Sequence, residues 1–347
     1  MQNPNFQPVY QLTRGGTVES IHFGAAAAVD SAGRLLASIG DPHTITFMRS
    51  TAKPFQALPF FEAGGPAHFG LTLKETALTC ASHEGTDDHA ATARAIQEKA
   101  GISETDLQCG THPPGDRLTR ERLLIAGEEP AINRHNCSGK HSGMLAACVL
   151  NGWPLDNYLS NEHPLQQGIL RAFAEMTNLE PAGVHVGLDG CSAPNFAVPL
   201  YNAALGFARL ADPQGLSEPR AAACRLITRA MTAHPDMIAG RGEFDTCLME
   251  VTGGRMISKG GAEGYQGIGI LAGESTPRGI GIALKISDGG ARSVSRHAFA
   301  LEILRQLGLI SASELAQLAG FGPQIEVRNC RDILVGEGKA ILKLDVP

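Results

Sequence analysis

Short alternating segments at both ends of the chain predict strands, whereas the middle has apolar positions at helical spacing. The N-terminal strand candidates are separated by turn residues, in the rhythm of an antiparallel meander, and lie at residues 9–12, 20–27 and 35–39. The C-terminal candidates lie at residues 257–264, 267–272 and 279–286 and near Val335 and Leu342. This order predicts an α+β fold whose mixed sheet is assembled from the two termini.

Helical spacing predicts one helix beginning near Ser50 and others over residues 87–99, 141–150, 164–178, 199–210, 220–233, 291–307 and 311–319. A short buried strand is predicted at residues 184–188. We expect a single domain over residues 1–347 with two lobes. One lobe takes the sheet from both ends of the chain, and the other takes the helical middle.

Composition is that of an ordinary soluble globular protein, because 43% of the 347 residues are hydrophobic and 18% are charged. The net charge is -6 and no Lys/Arg run occurs, which makes nucleic acid and acidic membrane surfaces poor partners. The N-terminal residues lack a basic segment followed by an apolar one, so we expect no signal peptide. The eight cysteines lack framework spacing, and we expect reduced thiols in a cytoplasmic protein.

The sequence S-T-A-K at residues 50–53 allows two interpretations. In the first, Ser50 caps a helix, and Pro54 is tolerated in its opening turn. In the second, Lys53 lies on the same helix face as Ser50 and removes the proton that makes its hydroxyl a nucleophile. Both interpretations are compatible with the residues alone.

Five polar segments with glycine place nucleophiles, bases or metal ligands where backbone amides can approach a substrate. They are R-S-T-A-K at 49–53, C-A-S-H-E-G at 80–85, N-C-S-G-K-H-S-G at 136–143, D-G-C-S-A-P at 189–194 and S-K-G-G-A-E-G at 258–264. Ser82 in the second segment is either a cleft residue or the N-cap of the next helix. Structural turns do not need Ser, Lys, His and Cys this often, so together the segments indicate a site.

Lys259 precedes two glycines, a partial match to the K-T-G element of S-x-x-K acyl-transfer enzymes. Gly260 stands where that element has Thr, and the chain has no S-D-N, so penicillin binding is not supported. Residues 267–272 imitate a dinucleotide-binding glycine motif but lack its third glycine. We therefore discount dinucleotide binding.

Cys137 and Cys191 both lie in tight polar loops and could act as thiolate ligands. The chain lacks C-x-x-C and H-x-x-x-H spacing, which argues against a structural zinc finger. The two cysteines with Lys140 or His141 and a water could still form a tetrahedral site. Buried inert thiols are the alternative.

At these five segments the chain resembles the L-asparaginase II family of the rhizobial type, also called class 3 asparaginases. The resemblance covers nearly the whole chain and includes AHPDMIAGRGEFDT at residues 233–246. It implies hydrolysis of L-asparagine to L-aspartate and ammonia. It also implies a fold similar to serine β-lactamases and glutaminases.

The resemblance assigns catalytic roles to four residues, with Ser50 and Lys53 as one pair and Ser82 and Lys259 as the other. It also implies a nearby zinc ion. The metal ligands it implies are Cys137, Lys140 and Cys191, and it implies no organic cofactor.

Substrate contacts follow from the charges of L-asparagine. Arg49 is the first choice for the α-carboxylate, and Asp189 or Glu263 is available for the α-ammonium. His83 is a further predicted substrate-binding residue. We expect a homodimer that binds a small substrate and neither nucleic acid nor membrane. Three alternatives stay open: a glutaminase or other small-amide hydrolase, a zinc-dependent hydrolase, and a non-enzymatic thiol-based metal or redox sensor.

Overall fold

The computed structural model describes residues 6–274, 276–290 and 294–347. Its strands, in chain order β1 to β11, are Gln7–Arg14, Thr17–Asp30, Leu35–Ile39, Ile45–Phe47, His185–Leu188, Pro194–Pro199, Met256–Gly261, Tyr265–Ile270, Ile280–Ile286, Gln324–Arg328 and Leu334–Ala340. Its helices, in chain order α1 to α13, are Lys53–Glu62, Gly65–His68, Leu73–Leu78, Asp87–Ala100, Arg117–Ala126, Ser138–Asn151, Pro164–Thr177, Leu200–Ala211, Glu218–Ala233, Pro235–Ile238, Phe244–Val251, Val294–Gln306 and Ala312–Gln317.

Strands from both ends of the chain form one large sheet, as the sequence predicts. Within the described residues, eight strands take part, in the order β10-β11-β1-β2-β9-β8-β7 with β3 added on β2. Each neighbouring pair is antiparallel. The α+β class is therefore confirmed, but the prediction of a mixed sheet is wrong, because hairpins and long returns bring every strand back in the opposite direction.

Helices α8 and α12 pack on opposite faces of this sheet. A Cβ atom on Gly281 of β9 would overlap the backbone of Ala204 in α8. A Cβ on Gly24 of β2 would instead meet Phe299 of α12, and Gly24 pairs with Ile286. Because alternate strand residues point to opposite faces, Gly281 and Ile286 face opposite sides. The glycine-rich C-terminal strands thus allow α8 to approach the sheet closely.

The chain divides into two compact units. The first contains residues 1–51, 198–212 and 247–347, and the second contains residues 52–197 and 213–246. Helix α8, which we predicted in the helical lobe, belongs to the first unit with the sheet. It does so because it packs against β2, β8 and β9.

Helices dominate the second unit. Helix α1 packs against α6, α7 and α9, and α4 packs against α3 and α6. Gly139 in the first turn of α6 faces the end of α3, where a Cβ atom would overlap the carbonyl oxygen of Leu78. Glycine is required at this position because the two helices approach so closely.

Several predicted elements differ from those observed. Helix α6 begins at Ser138 and not at residue 141, and the polar stretch 109–136 contains the unpredicted helix α5. Strand β5 exists but is largely exposed, not buried. The predicted helix 291–307 is observed from Val294, and its first three residues lie outside the described residues. In the described part of the chain, no helix has the length and apolar character needed to cross a bilayer.

Candidate active site

Lys53 opens α1 and is buried, with 1% of its surface exposed. A 3-10 turn, Arg49–Ala52, leads into the helix and contains Ser50. The N-cap is Ala52, with no side-chain cap hydrogen bond. The interpretation of Ser50 as the helix cap is therefore wrong, because the extra turn moves the helix start beyond the serine. Pro54 lies in the first turn, as expected.

The ammonium group of Lys53 lies against Ser82. Its Nζ atom is 2.7 Å from Oγ of Ser82, 2.5 Å from the carbonyl oxygen of Ala81 and 3.4 Å from that of Asn136. All four residues belong to the second unit. The structure thus brings Lys53 to Ser82, which the resemblance had assigned to the other Ser-Lys pair.

Ser82 lies in the segment between α3 and α4 and is half-buried. Its backbone N–H donates to the carbonyl oxygen of Ile238 across 2.9 Å. The N-cap of α4 is Thr86, whose hydroxyl accepts from the N–H of His89 in a capping box. The alternative role of Ser82 as that cap is therefore wrong, and its hydroxyl is left to contact Lys53.

His83 is 1% exposed, and both of its ring nitrogens are bonded inside the protein. Nδ1 accepts from the backbone N–H of Gly85 across 3.1 Å, and Nε2 lies 2.9 Å from Oγ of Ser138. Burial lowers the pKa of His83 well below its usual value, and the nearby His89 ring lowers it further. The ring is therefore neutral, and its Nε2–H donates to Ser138.

The turn that precedes α6 supplies the third acceptor of Lys53. The carbonyl oxygen of Asn136 also accepts the backbone N–H of His83 across 3.2 Å. Oγ of Ser138 donates to the carbonyl oxygen of Asn133 across 2.9 Å. The turn and the segment of Ser82 are thus joined by both backbone and side-chain hydrogen bonds.

The three predicted metal ligands converge in the second unit. Nζ of Lys140 lies 3.0 Å from Sγ of Cys191. A hydrogen bond with Cys191 lowers the pKa of Cys137 well below its usual value, although burial raises it, and Lys53 and Lys140 lower it further. Burial lowers the pKa of Lys140, but Cys191 and Cys137 outweigh burial and raise it. Two thiol groups and an amine therefore lie within contact distance in a buried place.

This donor set fits a zinc ion with three protein ligands and one open position, the arrangement of catalytic zinc sites. Histidine 141 supports the fit. Its Nδ1 lies 2.5 Å from the hydroxyl of Tyr158, and its buried Nε2 has no hydrogen-bond partner among the described atoms. Burial lowers the pKa of His141 to about 4, and the nearby Cys191 partly opposes that shift. Within the described residues, no group of three His, Cys, Asp or Glu side chains could hold a metal ion, so a site at these two cysteines would have to include Lys140.

Two predicted substrate-binding residues meet in the first unit. The guanidinium of Arg49 lies 3.9 Å from Oε1 of Glu263. Both residues have positive φ angles, 53° and 59°, which non-glycine residues rarely adopt. Lys259 of β7 is 1% exposed, and its Nζ donates to the carbonyl oxygen of Gly260 across 2.8 Å.

Asp189, predicted for the substrate ammonium, lies just before Cys191 in the second unit. Its carboxylate accepts the backbone N–H of Gly190 across 2.8 Å. Its negative charge raises the pKa of Lys140. The carboxylate is therefore close to the cluster of thiols and amine.

Sequence reasoning missed Asn136 and Ser138 as parts of this arrangement. Asn136 contributes a backbone oxygen, for which its residue type gives no signal. His135 was also missed: its Nδ1 accepts the N–H of Cys137 across 3.0 Å, and burial lowers its pKa to about 4. Asn136 and Ser138 both lie inside the polar segment 136–143. A search of that segment for polar side chains that become buried could have identified Ser138 as a candidate.

Among solved structures, a Bacillus glutaminase determined in 4.3 M NaCl is 13% identical and has a TM-score of 0.37. That match covers 82% of this chain and 91% of the other. A probable glutaminase from Bacillus subtilis, complexed with 6-diazo-5-oxo-L-norleucine, is 14% identical with a TM-score of 0.37, covering 82% and 84%. With TM-scores below 0.5, these similarities carry no conclusion about this chain. No curated protein sequence matches.

A family comparison gives a match over most of the chain. The sequence model described as L-asparaginase II matches residues 10–340. This range includes all five polar segments and the strands from both ends of the sheet. The chain therefore belongs to the L-asparaginase II family.

Proposed function

We propose that the protein hydrolyses the side-chain amide of L-asparagine to L-aspartate and ammonia by a serine-lysine mechanism. Family membership makes it an amidohydrolase. The asparagine substrate, the roles of the serines and lysines, and the zinc ion are the proposed part.

The contact between Lys53 and Ser82 carries the proposal. A protonated amine has three N–H donors, and Lys53 has three oxygen acceptors within 3.4 Å. A neutral amine has two donors, which suit the carbonyl oxygens of Ala81 and Asn136. Its lone pair then accepts the hydroxyl proton of Ser82. The same geometry therefore serves both protonation states of a base.

The proposed reaction begins when Oγ of Ser82 attacks the side-chain amide carbon, and its proton passes to Nζ of Lys53. The C–N bond then breaks, and the lysine ammonium gives its proton to the leaving nitrogen, which departs as ammonia. Water attacks the resulting ester, and its proton passes through Lys53 back to Ser82. Positioned acid–base catalysis of this kind contributes roughly 10²–10⁴-fold.

Ser50 and Lys259 are the other two proposed catalytic residues. Lys259 is buried like Lys53, and its ammonium donates to a backbone carbonyl. Ser50 is half-buried and is not the helix cap, so its hydroxyl is not committed to α1. We assign these two residues supporting roles in proton transfer to the reacting amide.

The pairing of Arg49 with Glu263 supports recognition of a free amino acid. The α-carboxylate and α-ammonium of an amino acid lie on the same carbon, so they suit a protein cation and anion that are also close together. Arg49 would bind the carboxylate, and Glu263 would bind the ammonium. Positive φ angles at both residues are the kind of backbone strain that occurs at functional sites.

Zinc is proposed at Cys137, Lys140 and Cys191, where the donor set fits. When bound, it would supply positive charge that polarises a substrate oxygen. Because Lys140 must lose its proton to bind, metal binding would release a proton. Asp189 is close to Lys140. Its carboxylate could bind the substrate ammonium or balance the positive charge of the bound metal.

The deciding experiment measures ammonia release from L-asparagine by the purified protein, with and without chelator. We expect a much higher rate with L-asparagine than with L-glutamine, although one methylene is worth only ~1–3 kcal/mol in a simple pocket. Equal rates with both would favour a general small-amide hydrolase. Loss of all activity on metal removal would favour the zinc-dependent hydrolase, and release from neither amide would favour the thiol-based sensor. A homodimer, proposed in addition, is tested by the mass in solution.

A further inference from the structure

We propose that His83 is a positioning residue, not a substrate ligand, and that its hydrogen bond to Ser138 holds the acceptors of Lys53 in place. The inference rests on the proposed function, because it concerns the base of that reaction. It reassigns a residue that sequence analysis had placed against the substrate.

The first observation is that the hydrogen-bonding capacity of His83 is used up. Nδ1 accepts from Gly85 and Nε2–H donates to Ser138, which in turn donates to the carbonyl oxygen of Asn133. His83 and Ser138 are 1% and 0% exposed. A substrate would therefore have to break a buried bond before it could contact this ring.

The second observation is where the bond lies. His83 directly follows Ala81 and Ser82, which supply two of the contacts of Lys53. Ser138 directly follows the turn that contains Asn136, which supplies the third. The His83–Ser138 bond thus joins the two segments that surround the ammonium group. The backbone bond from the N–H of His83 to Asn136 reinforces the same junction.

The third observation is that the backbone at the junction is tightly packed. Gly85 has a φ of +72°, and a Cβ there would lie 2.5 Å from the carbonyl oxygen of Arg134. On the other side, Gly139 packs directly on Leu78. Loss of the side-chain bond would leave either the Nε2–H of His83 without its acceptor or Oγ of Ser138 without its donor, so the segments would shift to reach new partners. Misplacement of a catalytic group by ~1 Å can cost on the order of 10²-fold in rate.

The test compares His83→Leu, His83→Gln and Ser138→Ala in ammonia release. We expect His83→Leu to lower kcat on the order of 10²-fold while KM changes less than about threefold. His83→Gln places an N–H near the position of Nε2 and should recover most of kcat. Ser138→Ala should lower kcat in the same way. The double variant should have about the same kcat as His83→Leu, because the two single changes remove the same hydrogen bond.

His163→Leu is the matched control. Its Nδ1 also accepts a backbone N–H two residues ahead, from Leu165, and it is 2% exposed. Unlike that of His83, its Nε2 contacts a backbone carbonyl oxygen, that of Pro154. This variant should lose stability and keep kcat. A large rise in KM for His83→Leu with kcat unchanged would mean that His83 binds substrate. Near-normal kcat in both His83→Leu and Ser138→Ala would also overturn the inference.

A second measurement does not depend on activity. In protein labelled with ¹⁵N-histidine, NMR should show a neutral His83 with a slowly exchanging Nε2–H proton, and Ser138→Ala should remove that protection. If the wild-type protein releases no ammonia from any amide, the proposed function fails while this bond is still tested. If the Nε2–H is unprotected in the wild-type protein, the positioning role is wrong.

Discussion

Nζ of Lys53 donates a hydrogen bond to Oγ of Ser82 across 2.7 Å, and both residues belong to the same compact unit. Lys53→Arg tests whether this contact is catalytic. Arginine keeps the charge but cannot lose its proton, so a base at this position fails. We expect kcat to fall by about three orders of magnitude or more, as when one member of a catalytic unit is removed.

Lys74→Arg is the control for this change. Lys74 forms an exposed ion pair with Asp88, 2.6 Å away and outside the proposed site, so kcat should not change. Turnover of Lys53→Arg close to that of this control would mean that Lys53 has only a structural role.

Ser50→Asn tests the proposed catalytic role of Ser50. Asparagine lacks the hydroxyl, so kcat should fall by roughly two or more orders of magnitude if Ser50 relays protons. Stability should change little, because Ser50 does not cap α1. Ammonia release and the urea midpoint are measured together.

Ser311→Ala is the opposite control. Ser311 is an observed N-cap, and its hydroxyl accepts from the N–H of Glu314 at the start of α13. Its loss should cost about 1 kcal/mol and leave kcat unchanged. If Ser50→Asn behaves like Ser311→Ala, Ser50 is not catalytic.

Cys191→Ala tests the metal site. Without one of the two thiols, bound zinc should drop to background, and the rate or substrate affinity should fall. The protein should stay folded, because its core does not depend on one metal. Elemental analysis of protein purified without chelator measures the zinc content. The control is Cys330→Ala, at an exposed cysteine, which should keep its zinc. Wild-type protein without zinc, or Cys191→Ala with normal zinc, would rule out the site.

Glu84→Gln tests a pH dependence of stability. Burial, together with the carboxylates of Glu243 and Asp116, raises the pKa of Glu84 to about 7, against the opposing charges of Arg120 and His112. The raised pKa means that the fold favours the protonated carboxyl group. This contribution is fully present below the ordinary pKa of 4.5 and is lost as the pH rises through 7.

Glutamine stays neutral at every pH, so Glu84→Gln should be more stable than wild type at pH 8. The difference between them should shrink toward pH 5. Urea unfolding at both values measures it. The control is Glu121→Gln, at an exposed ion pair with Arg117, unfolded at the same two pH values. A pH-independent difference for Glu84→Gln would mean that its carboxyl group is not held in the protonated form.

The sequence predicts the class of fold well, because alternating and helical spacing report directly on which faces are buried. It places α6 three residues too late, since Ser138 and Gly139 have the composition of a turn. Gly139 is there because of a close contact with Leu78, which no local pattern reveals. Helix α5 was missed because its apolar residues Leu124 and Ile125 are exposed and do not form a buried stripe.

The sequence indicates candidate site residues but not which of them lie in contact. Sequence spacing can place Lys53 near Ser50 on one turn of helix, but Ser82 reaches Lys53 only through the packing of the second unit. The acceptor of His83 was also beyond the sequence, because Ser138 lies on a helix whose start was misplaced. Residue types therefore indicate the chemistry, while tertiary packing determines which groups meet.

The antiparallel sheet has a consequence for how the protein is made. Tyr10 pairs with Ala340, and Ala26 pairs with Leu284, so β1 and β2 pair with strands that are synthesised long after them. The second unit is complete once residue 246 has emerged. Because domains generally fold as units during synthesis, its helices can form first, around Lys53 and Ser82. Until β9 and β11 arrive, the hairpin of β1 and β2 has open edges, and the nascent chain is exposed to aggregation at that stage.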